Sequence, residues 1–399
     1  MKQFPYATEC SLNPNCLVDP TFHAAGNPHA LWSWMRENEP IYWHEPTKFP
    51  GFWSITRHED IREVYGNPEI FSSARGVLLR QEKSGDDPGG GLTLALTDPP
   101  RHKQLRAIMT SWFSISYAKS LESAIRRKIK ELLLEAVEKK VINFTHDISS
   151  KLTLFVTCHI LGIPPKDHKD VLHWAHESFE KAVPLASHKE FMLYFCELME
   201  SKRACPSSDL ASAIVHGMID NKKLAEEEIL LNFENLIGAT ENAGLSISSG
   251  VLAFIEYPES WKLLQTDRKL IISATEEILR WASSASHSMR TIKKTYTLNN
   301  TNLLANQKIV LWLPSANRDD KIFENPFKFD ITRTPNRHIA LGYGEHFCIG
   351  NALGRMQIRI LLDELLGFDW ILELESAPIH LRSIYVNGPE NLPIRFVDK

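Results

Sequence analysis

Between residues 101 and 281 apolar side chains recur every three or four positions, through segments 101–145, 147–161, 166–200, 207–218, 225–257 and 259–281. That period lays an apolar stripe along one face of a helix, so the middle of the chain predicts helices that bury their stripes on one another. Strands need an alternation of period two, which is absent there. Extended runs lie outside this region. Pro40 to Trp43 and Gly51 to Thr56, bounded by proline and glycine, predict a hairpin after an irregular segment to about residue 27 and a short helix over 28–38. The glycine-rich run Lys83 to Gly91 predicts a mobile loop. Short extended pieces at 296–298 and 309–312 precede a coil from 315 to 347, a helix over 349–365 and a strand-like tail.

The expected class is therefore mainly α with small β-sheets, helical over 59–281 and 349–365, with sheet contributions from about 40–60, 294–314 and the tail. A length of 399 residues allows two or three domains at roughly 150 residues each. No repeat and no Gly/Ser- or Pro-rich linker separates two cores, so one domain over 1–399 is expected.

The balance of 45 Lys plus Arg against 49 Asp plus Glu, net −4, gives no basic field for nucleic acid. The N-terminus, Met1 to Tyr6, lacks the basic and apolar regions of a secretory signal. The most apolar long segment, Leu236 to Ile255, contains Glu241, Asn242 and several serines and does not read as a membrane span. A cytoplasmic protein is expected. The six cysteines (Cys10, Cys16, Cys158, Cys196, Cys205, Cys348) show neither C-x-x-C pairs nor zinc spacing, and most are expected to be small buried hydrophobes.

Cys348 departs from that expectation. It lies in Leu341-Gly342-Tyr343-Gly344-Glu345-His346-Phe347-Cys348-Ile349-Gly350, immediately before a helix, where backbone N–H groups and the positive helix end favour a thiolate. Gly344 and Gly350 permit turns and the close approach of a flat cofactor. A tight structural loop around a buried thiol is the plainer alternative.

The segment resembles the haem-binding loop of the cytochrome P450 family, F-x-x-G-x-H-x-C-x-G. The resemblance implies a P450 fold with haem b (iron protoporphyrin IX) between a long distal helix and the proximal cysteine loop and helix. Cys348 stands at the axial thiolate ligand of the iron. His346, Gly344 and Gly350 match the pattern, and Leu341 replaces the usual phenylalanine, which keeps an apolar screen but removes the ring. Leu353-Gly354-Arg355 is similar to the family's Leu-Ala-Arg. Glu277 and Arg280, three apart on one helix face, resemble the E-x-x-R pair, and Arg333 in the following coil completes a structural triad. Asp98-Pro99-Pro100-Arg101-His102 through Arg106 resembles D-P-P-x-H-x-x-x-R, which makes His102 and Arg106 candidates for the haem propionates. Arg290 and His338 are two further candidates by the same resemblance.

On the distal side, Gly238 to Ala243 is similar to [AG]-G-x-[DE]-T-T. Aligning acid with acid puts Glu241 at the family's carboxylate and Asn242 at its threonine. The other register puts Thr240 at the acid and Glu241 at the alcohol. One residue turns a helical side chain by about 100°, so only one register can hold, and the first is preferred. Asn242 can orient water or substrate but cannot relay a proton as a hydroxyl does.

Family substrate segments map onto 76–94, 166–200, 282–289 and 383–386. They suggest an apolar wall of Ala282, Ala285, Met289, Ile384 and Val386, with Ser283, Ser284, Ser286 and His287 adding polar groups, and Arg75 and Arg80 beside it for an anionic or carrier-linked handle. Arg101, Lys103, Arg337, Arg355 and Arg359 would form a proximal face for a separate ferredoxin or flavodoxin supplied by its own reductase, with no fused reductase domain expected. The expectation is a monomeric monooxygenase of secondary metabolism that hydroxylates or epoxidises a mainly apolar small molecule, with no nucleic-acid or membrane partner. A haem-thiolate enzyme of other chemistry (peroxide-driven, nitric oxide reduction, oxidative coupling) and a non-catalytic haem sensor are the alternatives.

Overall fold

The computed structural model describes residues 12–25, 28–81, 83, 85–180, 189–368 and 370–398. Part of the N-terminal segment, part of the 83–91 loop and part of the 166–200 helical region lie outside these residues. Helices α1 (Pro20–Ala24) and α2 (His29–Asn38) precede the hairpin β1 (Ile41–His44) and β2 (Phe52–Ile55), followed by α3 (His58–Gly66) and β3 (Phe71–Ser72). After an irregular stretch come α4 (Arg101–Met109), α5 (Ile115–Lys139), β4 (Val141–Asn143), α6 (Lys151–Leu161), α7 (His168–Glu180), α8 (Lys189–Ala204) and α9 (Leu210–Val215). A small hairpin, β5 (Met218–Ile219) and β6 (Lys222–Lys223), leads to α10 (Glu226–Gly238), α11 (Thr240–Glu256), α12 (Pro258–Thr266) and α13 (Ile271–Ala282). Then follow β7 (His287–Ile292), β8 (Tyr296–Leu298), β9 (Thr301–Leu303), β10 (Lys308–Trp312), α14 (Leu313–Ala316), a long coil and α15 (Asn351–Leu366). The chain closes with β11 (Trp370–Leu374), β12 (Ile379–His380), β13 (Pro389–Asn391) and β14 (Pro393–Asp398). The class is mainly α with small sheets, as expected.

The helical stripes are more broken than their periodicity suggests. The 101–145 run stops before Ser114, whose hydroxyl accepts the Tyr117 N–H at 3.1 Å and restarts the helix as α5, a standard N-cap. A π turn over Thr145–Ser150 precedes α6. The distal run divides at Ala239, where Thr240 Oγ1 donates to the Ile237 carbonyl at 2.7 Å. An apolar stripe continues across such breaks, so periodicity alone does not register them.

The hairpin forms in the expected place, with Ile41 opposite Ile55 and Trp43 opposite Trp53. It belongs to a five-stranded sheet of order β1-β2-β10-β7-β3, in which β10 runs parallel to β2 and antiparallel to β7. β7 lies outside the extended pieces expected at 294–314. Five of its six residues are buried, so it shows none of the alternation that marks a half-exposed strand. Around α5, α6, α11, α13 and α15 one large core gathers Ile125, Leu152, Ile247, Val251, Ile278 and Leu361, while smaller clusters cover the two faces of the sheet.

Glu277 on α13 anchors the coil that leads to Cys348. Its carboxylate accepts from Arg280 Nε and Nη2, both at 2.8 Å, from Arg333 Nε at 3.2 Å, from the Asp330 N–H at 2.8 Å and from Asn336 Nδ2 at 3.0 Å. Arg280 also donates to the carbonyls of Asn317, Pro326 and Lys328. Glu277 and Arg280 are fully buried, so the triad is structural. Removing one partner of a buried, saturated ion pair leaves an uncompensated charge, at a cost of about 3–5 kcal/mol. Glu277→Ala is accordingly expected to lose roughly that much in denaturant unfolding, whereas Glu59→Ala, on the first turn of α3, stays within about 0.5 kcal/mol of the parent; equal midpoints for the two variants would remove the triad from the stability of the fold.

Candidate active site

Cys348 sits at the end of a turn locked from both sides. Its N–H donates to the Leu341 carbonyl at 2.9 Å, and its own carbonyl accepts from Asn351 Nδ2 at 2.9 Å, where α15 begins. Cys348, Leu341 and Gly350 all line a cavity of about 410 Å³. Contrary to the expectation of a stabilised thiolate, burial pushes the Cys348 thiol up, and it outweighs the Gly350 N–H and the charges of Arg106 and Arg355 that act the other way. The chain by itself holds a neutral thiol that a metal cation would deprotonate on binding.

The two glycines of the loop serve different ends. Gly344 has φ +69°, and a Cβ there would lie 2.9 Å from the Tyr65 carbonyl. It faces α3 and is not among the cavity residues, which corrects its expected place against the cofactor. At Gly350 a Cβ would meet nothing closer than the Cys348 sulfur at 3.9 Å, so the space that its missing side chain leaves belongs to the cavity.

Two basic side chains, Arg290 and His346, line one end of this cavity, and His102 and Arg106 stand behind them, with Asp98 and Glu345 acting on the group only at a distance. His102 and His346 lie ring to ring at 4.2 Å, and neither ring nitrogen of buried His102 has a hydrogen-bond partner. Arg290 is buried over the Tyr65 ring at 5.1 Å and donates to the Ser288 hydroxyl and the Met289 carbonyl, both at 2.7 Å. Among the described residues neither Arg290 nor Arg106 makes an ion pair. His346 and His102 are both held below the ordinary imidazole range, by burial first and then by neighbouring positive charge, Arg290 and Arg106 included. A buried cluster of like charges lacks its counter-ion, and the two carboxylates of a haem would supply it. The donor set and the thiol thus fit the expected cofactor.

His338, expected as the fourth propionate contact, is a correction. Its Nε2 lies 3.2 Å from Glu276 Oε2, and Arg355 grips the same carboxylate at 2.8 and 2.9 Å. Burial works against the Glu276 anion, but these partners together pull its pKa down to about 2. The imidazole at the cavity is His346, whose place in the loop motif was the available signal.

On the distal side Thr240 and Asn242 line the cavity and Glu241 does not. Asn242 Oδ1 is buried without a hydrogen-bond partner. Glu241 is displaced upward to about 7 by burial and, after that, by Glu390. This arrangement agrees with the acid-on-acid register, in which position 242 faces the cofactor.

Of the five expected wall residues only Ala285 lines the cavity. Ser288 and Arg290 face it, so Met289, one residue off in a strand, points the other way and joins Ile384, Trp32 and Trp312 in the core. Ala282 is buried at the end of α13, and Val386 pairs with Ala285 as an isolated bridge. The wall comes instead from Val77, Leu78, Ala95, Leu236, Ala243 and the serines 246 and 284. His287 clamps it. Nε2 accepts the Leu79 N–H at 3.0 Å, which leaves Nδ1–H to donate to the Ile384 carbonyl at 2.8 Å. Burial lowers the His287 pKa to about 4, so this neutral clamp persists at physiological pH.

Surface cations are largely partnered. Arg101 pairs with Glu228, Lys103 with Glu345 at 3.0 Å, and Arg355 and Arg359 share Glu276. Arg75 is tied to Asp86 at 2.6 Å and Arg80 to Asp87 at 3.4 Å, so an anionic handle would have to displace both acids. Among the described residues no helix is long and apolar enough to cross a membrane.

The sequence family model for cytochrome P450 matches residues 265–390. Cytochrome P450 NovI of Streptomyces niveus is 32% identical over 99% of both chains, and linalool 8-monooxygenase of Pseudomonas putida is 29% identical over 96% of this chain and 99% of the relative. The crystal structure of P450 OxyD, involved in the biosynthesis of vancomycin-type antibiotics, superposes with a TM-score of 0.88 at 29% identity, covering 96% of this chain and 99% of that one. With whole-length similarity added to a cysteine turn and a cavity that joins it to Arg290 and His346, the chain belongs to the cytochrome P450 family of haem-thiolate monooxygenases.

Proposed function

We propose that this enzyme hydroxylates or epoxidises a mainly apolar small molecule, with electrons from a separate ferredoxin or flavodoxin, and that Asn242 takes the place of the usual distal threonine. One observation carries the reading: a single cavity runs from the Cys348 thiol past the cationic cluster to a wall made chiefly of alanine, valine and leucine side chains. Bound haem supplies the reductive activation of O2 and the insertion of one oxygen atom into the substrate. Cys348 would ligate the iron, and Arg290 and His346, with His102 and Arg106 behind them, would hold the propionates. Similarity to a relative named for linalool supports an apolar substrate. Around Glu276 the cations Arg355 and Arg359 outnumber their one acid, which supports an acidic electron donor on that face.

Asn242 can hold water or substrate by hydrogen bonds but has no hydroxyl proton to pass on. Glu241, near half protonation at neutral pH, keeps a proton behind the first turn of α11. The missing alcohol favours, as a second reading, a peroxide-driven reaction of the same cavity.

The reduced, carbon monoxide-bound protein is expected to show the strongly red-shifted Soret band of thiolate-ligated haem, and Cys348→Ser to lose it. Product is expected under O2 with a ferredoxin system; if peroxide alone gave as much product and the ferredoxin system none, the second reading would replace the first. Product per electron pair is expected to fall several-fold in Asn242→Ala and to rise in Asn242→Thr, and identical coupling in the three proteins would leave Asn242 without a part in the chemistry.

Glu241 generates a further expectation. Its folded pKa of about 7 lies above the unfolded value of 4.5, so the folded state binds the extra proton and stability falls as pH rises between those values. The loss is complete above pH 7 and amounts to about 3 kcal/mol. Glu241→Gln is expected to match the parent in urea unfolding near pH 4 and to exceed it by up to that amount near pH 8; parallel stability curves would show that Glu241 ionises freely.

A further inference from the structure

Among the hydroxyl groups that line the cavity, those of Thr240, Ser246 and Ser284 each have a hydrogen-bond partner in the protein. Thr240 Oγ1 donates to the Ile237 carbonyl at 2.7 Å, and Ser246 Oγ donates to the Asn242 carbonyl at 2.8 Å. Ser284 Oγ lies 3.0 Å from Ser246 Oγ. A serine carries one proton, and that of Ser246 is committed to an acceptor that cannot donate in return. The arrangement that keeps both bonds has Ser284 as the donor of the serine pair, in the order Ser284 to Ser246 to the Asn242 carbonyl.

The position of this chain of hydroxyls is fixed from behind. Ser246 is 5% and Ser284 8% exposed. The Ser284 carbonyl accepts the Asn387 N–H at 2.7 Å, and the preceding Ser283 donates to the Arg280 carbonyl at 2.8 Å while accepting from Asn317 at 2.9 Å. His287 on the same wall offers nothing, since both its nitrogens are engaged. What these hydroxyls present to a ligand is lone pairs, set among Val77, Leu78, Ala95 and Ala285.

We propose that this wall is a hydrogen-bond acceptor that selects substrates bearing a hydroxyl or N–H donor on an otherwise apolar body, against the same body ending in an ether or a ketone. The inference rests on the haem monooxygenase reading of the cavity. A donor on the ligand adds a hydrogen bond to Ser284 and breaks none. An ether or ketone oxygen can be served only by turning the Ser284 proton away from Ser246, which exchanges one bond for another and leaves a buried lone pair of Ser246 without its donor. A site arranged for a donor rejects the analogue that lacks it, because its own polar groups then go unpaired.

The test uses the haem-loaded protein and 1-alkylimidazoles of stepped chain length whose tails end in hydroxyl, methoxy or methyl, with dissociation constants read from the Soret shift. At the length that reaches Ser284 the hydroxyl tail is expected to bind about fivefold tighter than the methoxy tail, the worth of one neutral hydrogen bond. Ser246→Ala frees the Ser284 proton, so the methoxy ligand gains and the ratio narrows to below about twofold. Ser246→Ala/Ser284→Ala reaches the same ratio by weakening the hydroxyl ligand. Equal binding of the two tails at every length in the parent, or an unchanged ratio in the double variant, would overturn the proposal while leaving the enzyme assignment intact. Failure of the purified protein to take up haem and show a Soret band would instead sink the haem reading and take the proposal with it.

Discussion

The carboxylate of Glu277 is the point from which the rest of the site is measured. It is fully buried and accepts from two arginines, an asparagine and a backbone N–H, so α13 and the coil around 324–336 cannot move independently. That coil delivers the chain to Leu341, whose carbonyl receives the Cys348 N–H. From the other end of α13, Arg280 holds Ser283 through its carbonyl, and Ser283 precedes Ser284 on the cavity wall. One ion pair thus positions the proximal thiol and a distal hydroxyl together. Its desolvation is costly and its net contribution to stability small, so its value lies in geometry.

The cationic end of the cavity is the complementary constraint. His102, His346, Arg106 and Arg290 are brought together without an ion pair among the described residues, and burial first, then the two arginines, lowers the protonation of the histidines. A chain folded in this way is short of negative charge where water is scarce. The haem carboxylates complete it, and a ligand that binds the folded state alone stabilises it by mass action. The cofactor is in this sense part of the core.

How much of this could be read in advance follows from how local each feature is. Cys348 was legible because a short loop fixes its direction toward the cavity. The triad was legible because two of its members share a helix face. His338 was misplaced because Glu276, next to Glu277 on α13, is turned by about 100° toward the proximal side, where it captures His338 and Arg355. Nothing in a lone Glu-Glu pair says which acid faces in. The wall failed for a related reason. β7 is buried on both faces, so no alternation revealed that Ser288 and Arg290 point inward and Met289 outward.

The same hydrogen bonds that fix the distal wall also bear on how protons reach the reaction. Thr240 and Ser246 bond to backbone carbonyls, Ser284 shares a hydrogen bond with Ser246, and His287 is neutral with both nitrogens occupied. None of these groups can pass a proton inward without first breaking a bond that holds the wall. Asn242 adds an amide, which donates but does not relay, and Glu241 faces away from the cavity. With these groups committed, water ordered in the cavity and a donor on the substrate itself become sources for the protons consumed in the chemistry. A wall that accepts a substrate hydroxyl leaves that hydroxyl's own lone pairs free to hold such a water, so substrate selection and proton supply become consequences of one arrangement.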